Sequence, residues 1–191
     1  PILADFLKAW GRVVVEGENQ TNVQDELRRE YEFLCKKISD LKGYMAEIYM
    51  IQVLWNLQRC LLPGEYVHVT GGVQVPDMFS FIKHRVRLEA GQGREVDIQA
   101  GAGTEHWIAE SKWLKDRQVG KSEVEAFLEL KPVVLEYVGR GVKTFRMWYF
   151  SYSGFSAEAK QVLQEQEVLY SDKDDLNALL DLAGLRRLPE L

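Results

Sequence analysis

Between residues 85 and 114 the sequence has a period of two. RVRLEA (85–90) and EVDIQA (95–100) each alternate apolar and polar residues, and GQGR separates them. Successive side chains on a strand point to opposite faces, so these runs read as extended chain, and the glycine-rich segment folds one back on the other as a β-hairpin. After GAGT, HWIAESKWL (106–114) is a third strand. No long helix fits this stretch. The middle of the chain must therefore be a sheet, and the rest has to cover it.

The flanks have the helical period. Val23, Leu27, Tyr31, Leu34 and Ile38 predict a helix over 23–38, and a shorter one is expected at 4–15, with GENQTN (17–22) as a loop. A second long helix is expected from about Gly43 to Leu61, with Tyr44, Ile48, Ile51 and Trp55 near helical spacing and Pro63-Gly64 as its stop. One or two short strands are expected within 66–75. Beyond the sheet strands come a helix over 122–138, interrupted or restarted at Pro132, and a strand at FRMWYFS. A helix capped by Ser156, a strand at EVLYS and a helix capped by Asp172 and closed by Gly184 follow. Early hairpins feeding alternating strands and helices predict an α/β fold, a central mixed β-sheet flanked by helices.

A chain of 191 residues buries roughly 70% of its unfolded surface and needs no staple to hold a core. Its two cysteines, Cys35 and Cys60, are expected as reduced, half-buried thiols. No apolar run reaches the ~18 residues of a membrane span, and PILADFLKAW lacks the pattern of a signal peptide, so a cytoplasmic location is expected, with no membrane partner. The opening proline is expected to reflect a lost methionine or a piece of something longer. Net charge is -5, which argues against a broadly basic nucleic-acid surface. The acidic excess lies at the two ends, however. Residues 33–155 carry 16 bases against 14 acids, and Lys112, Lys115, Arg117 and Lys121 form a local basic patch broken only by Asp116.

Several motifs lead nowhere. Gly120-Lys121-Ser122 lacks the earlier glycine of a phosphate loop, and neither GQG nor GAG completes a dinucleotide fingerprint. His68, His84 and His106 have no zinc spacing to the cysteines and read as structural or exposed. One constellation carries chemistry. Alternation puts Val96 and Ile98 on one face of their strand and Glu95, Asp97 and Gln99 on the other. In the next strand Ile108, Glu110 and Lys112 share a face, and Trp107, Ala109, Ser111 and Trp113 share the opposite one. A Glu-x-Lys pair alone is common and reads as a surface ion pair. Charged groups on a central strand are costly unless paired or bound to metal, and a neighbouring strand that brings up Asp97 makes two carboxylates and an ammonium meet. Carboxylates that face each other repel unless a cation joins them, and hard oxygen donors suit Mg²⁺ or Mn²⁺.

In chain order, this is a helix with Gly43 and Glu47, a hairpin strand with Asp97, AESKW carrying Glu110 and Lys112, and VGKSEVEAF opening the next helix. That order resembles the PD-(D/E)xK nuclease superfamily, the restriction-endonuclease-like fold, over roughly residues 41–171. YSGFSAEAKQVL and EVLYSDKDDL resemble the closing units of its Mrr-like and ATPase-linked members. PILADFLKAW resembles the tail of the winged-helix region in ATPases that carry such a domain at their C-terminus. The aspartate here follows Val96, not the proline of the superfamily's motif.

The resemblance implies a restriction-endonuclease-like core at 41–191, preceded by an N-terminal helical segment at 1–40 that ends a winged-helix or ATPase region of the same polypeptide. It implies a Mg²⁺-dependent nuclease acting on DNA, with Mn²⁺ as a substitute. Asp97, Glu110 and the backbone carbonyl of Ser111 would hold the metal, and Glu47 a second metal or a metal-bound water. Lys112 would orient or deprotonate the attacking water. Gln118 and Lys121, with Lys115 and Arg117 beside them, would meet phosphates. A homodimer is compatible with double-strand cutting. Two alternatives stay open: a non-catalytic dimerisation or nucleic-acid-binding module, supported by the acidic net charge and by Trp113 and Trp148 if these are exposed, and an RNA-directed nuclease, since phosphate contacts carry no base identity.

Overall fold

The computed structural model describes residues 20–88 and 93–189. The helix expected at 4–15 and the tip of the GQGR turn lie outside the described residues. The chain divides into two compact units between Leu41 and Lys42.

Helix α1 spans Gln20–Asn56. It replaces the loop expected at 20–22 and merges the two helices expected at 23–38 and from Gly43. A glycine inside a helix costs only about 1 kcal/mol relative to alanine, too little to end it. In the first unit the apolar residues Tyr31, Phe33, Ile38 and Leu41 are exposed, and Arg28 pairs with Glu32 one turn on.

The second unit holds a five-stranded sheet. Strands β1 (Leu61–Leu62) and β2 (Val73–Gln74) form a separate small ribbon around helix α2 (Gly64–Val67), so one short strand lies within 66–75 as expected, and the start of that stretch is helix and turn. The main sheet runs in the order β3 (Phe81–Arg87), β4 (Glu95–Ala102), β5 (Glu105–Lys112), β6 (Thr144–Ser151), β7 (Leu169–Ser171). β3, β4 and β5 are antiparallel neighbours, and β5, β6 and β7 are parallel. Parallel neighbours need a crossover, here helices α3 (Lys121–Leu128) and α4 (Leu130–Val138) before β6 and α5 (Ala157–Glu165) before β7. The helix expected over 122–138 thus breaks at Glu129, with Pro132 in the first turn of the second piece, where its missing N–H is not needed. Ser156 and Asp172 cap α5 and α6 (Lys173–Leu182) as expected, and Gly184 turns away at φ 69°. The architecture is α/β, a mixed sheet flanked by helices.

Each face of the sheet has its own core. Trp107, Ala109, Trp148, Phe150 and Leu169 pack under α1 and α6. Ile108, Met147, Tyr149 and Tyr170 point the other way, under α3, α4 and α5. Fully buried side chains of this size contribute on the order of 1.5–3 kcal/mol each. Trp148 is 0% and Trp113 8% exposed, which removes the aromatic support for the non-catalytic module. Cys35 and Cys60 are free thiols, and both are exposed rather than half-buried. Among the described residues no helix is long and apolar enough to cross a membrane.

Candidate active site

The site forms where β4 and β5 part. Their pairing ends at Ile98 opposite Ala109, one step short of Asp97 and Glu110, while β5 stays paired to β6 through Lys112. Asp97 and Glu110 therefore sit at the mouth of a fork. Asp97 Oδ2 accepts from the backbone N–H of Ser111 at 2.9 Å, and Lys112 Nζ donates to Glu110 Oε1 at 2.5 Å. Asp97, Glu110, Ser111 and Lys112, named from the sequence, are brought together.

β4 does not keep one alternation along its length. Ile98 and Ala100 belong to the core under α1, but Val96 belongs to the opposite one. Val96 and Ile98 thus point to opposite faces, where strict alternation put them on one. β3 switches at the same level: Ile82 packs with the α1 side and Val86 with the other. The cause is local. Between the pairs His84–Ile98 and Val86–Val96 the β3–β4 register skips Arg85 and Asp97, and Arg85 has φ 50°. A non-glycine residue in that left-handed region costs about 1–3 kcal/mol, and such strain concentrates at functional sites.

The electrostatics follow from burial. Burial, then the charge of Glu110, pushes Asp97 up to about 7. Glu110 is also raised by burial, against the pull of Lys112. Burial pulls Lys112 down, but the Glu110 carboxylate outweighs it and the ammonium is held. Two carboxylates that resist ionising together form a site short of positive charge.

Mg²⁺ usually keeps several waters and takes one or two carboxylates plus substrate oxygens. Asp97, Glu110 and the Ser111 carbonyl are a donor set of that kind. Among the described residues no three His, Cys, Asp or Glu side chains converge to make a closed metal cage.

Glu47 is placed differently from its neighbours. It projects from α1, 5% exposed, and Arg85 grips both its oxygens, Nε to Oε2 at 2.9 Å and Nη2 to Oε1 at 3.0 Å. His84 Nε2 meets Oε2 at 2.5 Å. Burial raises the Glu47 pKa, yet the hydrogen bonds from Arg85 and His84 bring it below the ordinary range. Its charge acts on Asp97 and Glu110, but its oxygens are committed to Arg85 and His84.

The expected phosphate-binding residues lie on the exposed segment after β5. Arg117 is held by Glu123 through two hydrogen bonds of 2.7 and 3.0 Å, and Glu123 also accepts from the Gly120 N–H at the start of α3. Lys121 pairs with Glu125 at 3.6 Å. Gln118 is exposed, and Lys115 neighbours Lys42, whose pKa burial and the Lys115 charge both lower. His84 and Arg85 were missed by sequence reading. Their one signal was the run Lys83-His84-Arg85 in a strand, a basic stretch that suits an edge.

No family model matches the sequence, and no curated protein matches it significantly. Among solved structures, a protein of unknown function, AF1548, is similar at 17% identity and a TM-score of 0.45, covering 70% of this chain and 67% of that one. The EndoMS–dsDNA2 complex is similar at 17% identity and 0.35, over 49% of this chain and 36% of that one. MspJI restriction endonuclease in complex with a 27-mer oligonucleotide is similar at 15% and 0.33, over 52% and 22%. The chain spans about a third of the EndoMS chain and about a fifth of the MspJI chain.

Proposed function

We propose that this chain is a divalent-cation-dependent nuclease that hydrolyses phosphodiester bonds of DNA. The observation that supports it is the fork itself: Asp97 and Glu110 face each other where β4 and β5 separate, with Lys112 bonded to Glu110. Asp97, Glu110 and the Ser111 carbonyl would hold Mg²⁺, or Mn²⁺ in its place. That ion, when bound, would polarise the phosphoryl oxygen and lower the pKa of a water. Lys112, held as an ammonium, donates hydrogen bonds: it orients the attacking water and offsets charge that develops on the phosphoryl oxygens. Hydrolysis adds water across one P–O bond, and the leaving oxygen takes a proton. Glu47 serves in this reading as a ligand only after releasing Arg85 and His84. Gln118, Lys115, Arg117 and Lys121 would line the approach of the strand.

A wider setting goes with the reading: residues 41–191 as the nuclease-like domain at the C-terminus of an ATPase-type polypeptide, behind the 1–40 helical segment, with a homodimer for double-strand cutting. Cytoplasmic location belongs to the same proposal. The non-catalytic module keeps one supporting observation, that Glu47 and Glu110 already have cationic partners.

The test is cleavage of supercoiled plasmid, single-stranded DNA and RNA with Mg²⁺, Mn²⁺ or EDTA, wild type beside Glu110→Ala. Metal-dependent DNA cleavage lost in the variant is the expected result. Equal rates in both proteins would sink the assignment, and RNA cut faster than DNA would change the substrate. Binding without cleavage in any lane would favour the module.

A further inference from the structure

The Glu47–Arg85 pair lies close enough to the fork for Glu47 to act on Asp97 and Asp97 on Arg85. Four observations bear on it. Arg85 lies on the edge strand β3, between His84 and Val86, whose register partners Ile98 and Val96 flank Asp97. Its backbone is held at φ 50°, within a strand, where arginine gains nothing from such a conformation. Its side chain is 45% exposed although both oxygens of a 5% exposed carboxylate hold it. Its guanidinium lies over the ring of Tyr44, 5.4 Å from the centroid, one helical turn before Glu47 on α1.

Together these fix the guanidinium without hiding it. Glu47 takes Nε and Nη2. Among the described residues, the remaining N–H groups of Arg85 meet no acceptor, and the side chain as a whole is 45% exposed. His84 also bonds Oε2 of Glu47, so the carboxylate does not belong to the arginine alone. An arginine anchored this way has already lost its side-chain freedom. It can receive a planar or tetrahedral oxyanion without further ordering, a strong point of guanidinium over ammonium. The acids around Arg85, Glu47 first and then Asp97 and Glu95, hold it as a cation, and in the nuclease reading the oxyanion it receives is a phosphate of the nucleic-acid backbone.

We propose that Arg85 is the phosphate-anchoring residue of this site, oriented by Glu47 and Tyr44, and that it holds the nucleic-acid backbone next to the fork. The proposal rests on the nuclease reading for the identity of the phosphate. It gives Glu47 a different resting role, that of orienting Arg85 rather than binding a second metal.

The experiment measures binding of a fluorescein-labelled DNA duplex in EDTA, by anisotropy across a salt series. Wild type is compared with Arg85→Met and Glu47→Gln, on two duplexes of unrelated sequence. Arg85→Met is expected to weaken both duplexes equally, by about tenfold, and to make the salt dependence shallower by about one unit of slope. Glu47→Gln keeps an oxygen acceptor for Arg85 but removes the opposing charge, so tighter binding is expected. A folded Arg85→Met protein with wild-type affinity and slope overturns the proposal. If Arg85→Met does not fold, Glu47→Gln decides: tighter binding supports the anchor, and unchanged or weaker binding overturns it. Failure of the nuclease reading is seen separately in the cleavage lanes. A protein that cuts DNA but binds it independently of Arg85 loses only the anchor. One that binds through Arg85 and never cuts keeps the anchor and loses the nuclease. Wild type that neither binds nor cuts overturns both.

Discussion

The backbone N–H of Ser111 donates to Asp97 Oδ2, so the strand that carries Glu110 also holds the aspartate beside it. A peptide N–H directs a carboxylate without neutralising it. Asp97 is thereby aimed into the fork while its pKa stays near 7, and Glu110, facing it, has the ammonium of Lys112. The Ser111 N–H holds Asp97 and the Lys112 ammonium holds Glu110 where they stand. The charge deficit is a consequence of the β4–β5 geometry, and it is the property a divalent cation would relieve.

That deficit makes a pH prediction for the metal-free protein. The folded-state pKa of Asp97 lies above its unfolded value of 3.8, so the folded state binds the extra proton. The resulting stability is fully present below about pH 4 and is lost as pH rises through about 7. From the size of the shift, the loss between pH 4 and pH 8 is on the order of 2–4 kcal/mol. Asp97→Asn cannot ionise and is expected to flatten this part of the profile. Urea denaturation in EDTA at several pH values measures it. A variant that loses as much stability as wild type over that range would place the titration elsewhere.

Lys112 is expected to act on rate more than on binding. As an ammonium bonded to Glu110 it already has a partner in the free protein, so its removal leaves the carboxylate buried and raised further. Lys112→Ala should reduce cleavage by about 10²–10³-fold, the scale of losing one preorganised donor to a developing oxyanion. DNA affinity in EDTA should change less than threefold. Loss of affinity with an unchanged single-turnover rate would make Lys112 a strand contact instead.

A second polar relay lies in the core. Trp148 Nε1 donates to Ser171 Oγ at 3.0 Å, and Ser171 Oγ donates to the Tyr66 carbonyl at 2.7 Å, tying β6 and β7 to α2. Both Trp148 and Ser171 are 0% exposed. Ser171→Ala strands a donor and an acceptor at once, and a cost of about 1–3 kcal/mol is expected. Ser171→Thr keeps the hydroxyl and tests whether the bond or the space matters. Thermal melts of the two variants separate these causes, because only the alanine should lose the hydrogen-bond contribution.

The sheet was legible because β-alternation is a local property. EVDIQA and HWIAESKWL carry alternating residues, FRMWYFS is a short aromatic-rich apolar run, and Ser156 and Asp172 announce the helices they cap. That Asp97, Glu110 and Lys112 come together was legible only from the strands taken in order, because a Glu-x-Lys pair alone reads as a surface ion pair. The face switch at Val96 and Ile98 was not legible. It depends on a positive φ at Arg85, a residue type that gives no sign of adopting it. Nor was the fate of Glu47: its partners come 37 and 38 residues later, from a strand whose basic residues read as ordinary edge protection. The fusion of two expected helices into α1 has a similar origin, because neither Gly43 nor the polar residues before it are strong enough to stop a helix.

Two glycines give a graded prediction about backbone contact. A Cβ on Gly64 would lie 2.2 Å from the Val69 carbonyl oxygen and 2.9 Å from the Gly72 nitrogen, two backbone atoms that share the hydrogen bond of the turn before β2. On Gly101, in β4, a Cβ would meet the far edge of the Phe81 ring at 2.6 Å, and that ring is only half-buried. Overpacking costs about 1–3 kcal/mol where side chains can give and more where they cannot. Gly101→Ala is therefore expected at the low end, with Phe81 displaced and the β3–β4 hairpin kept. Gly64→Ala is expected above about 3 kcal/mol, with loss of the Gly72–Val69 hydrogen bond. Denaturant titration gives the order, and amide exchange at Gly72 reports the broken turn. Equal costs would mean that Phe81 is as immobile as the backbone, which would make the hairpin beside Asp97 a rigid part of the site.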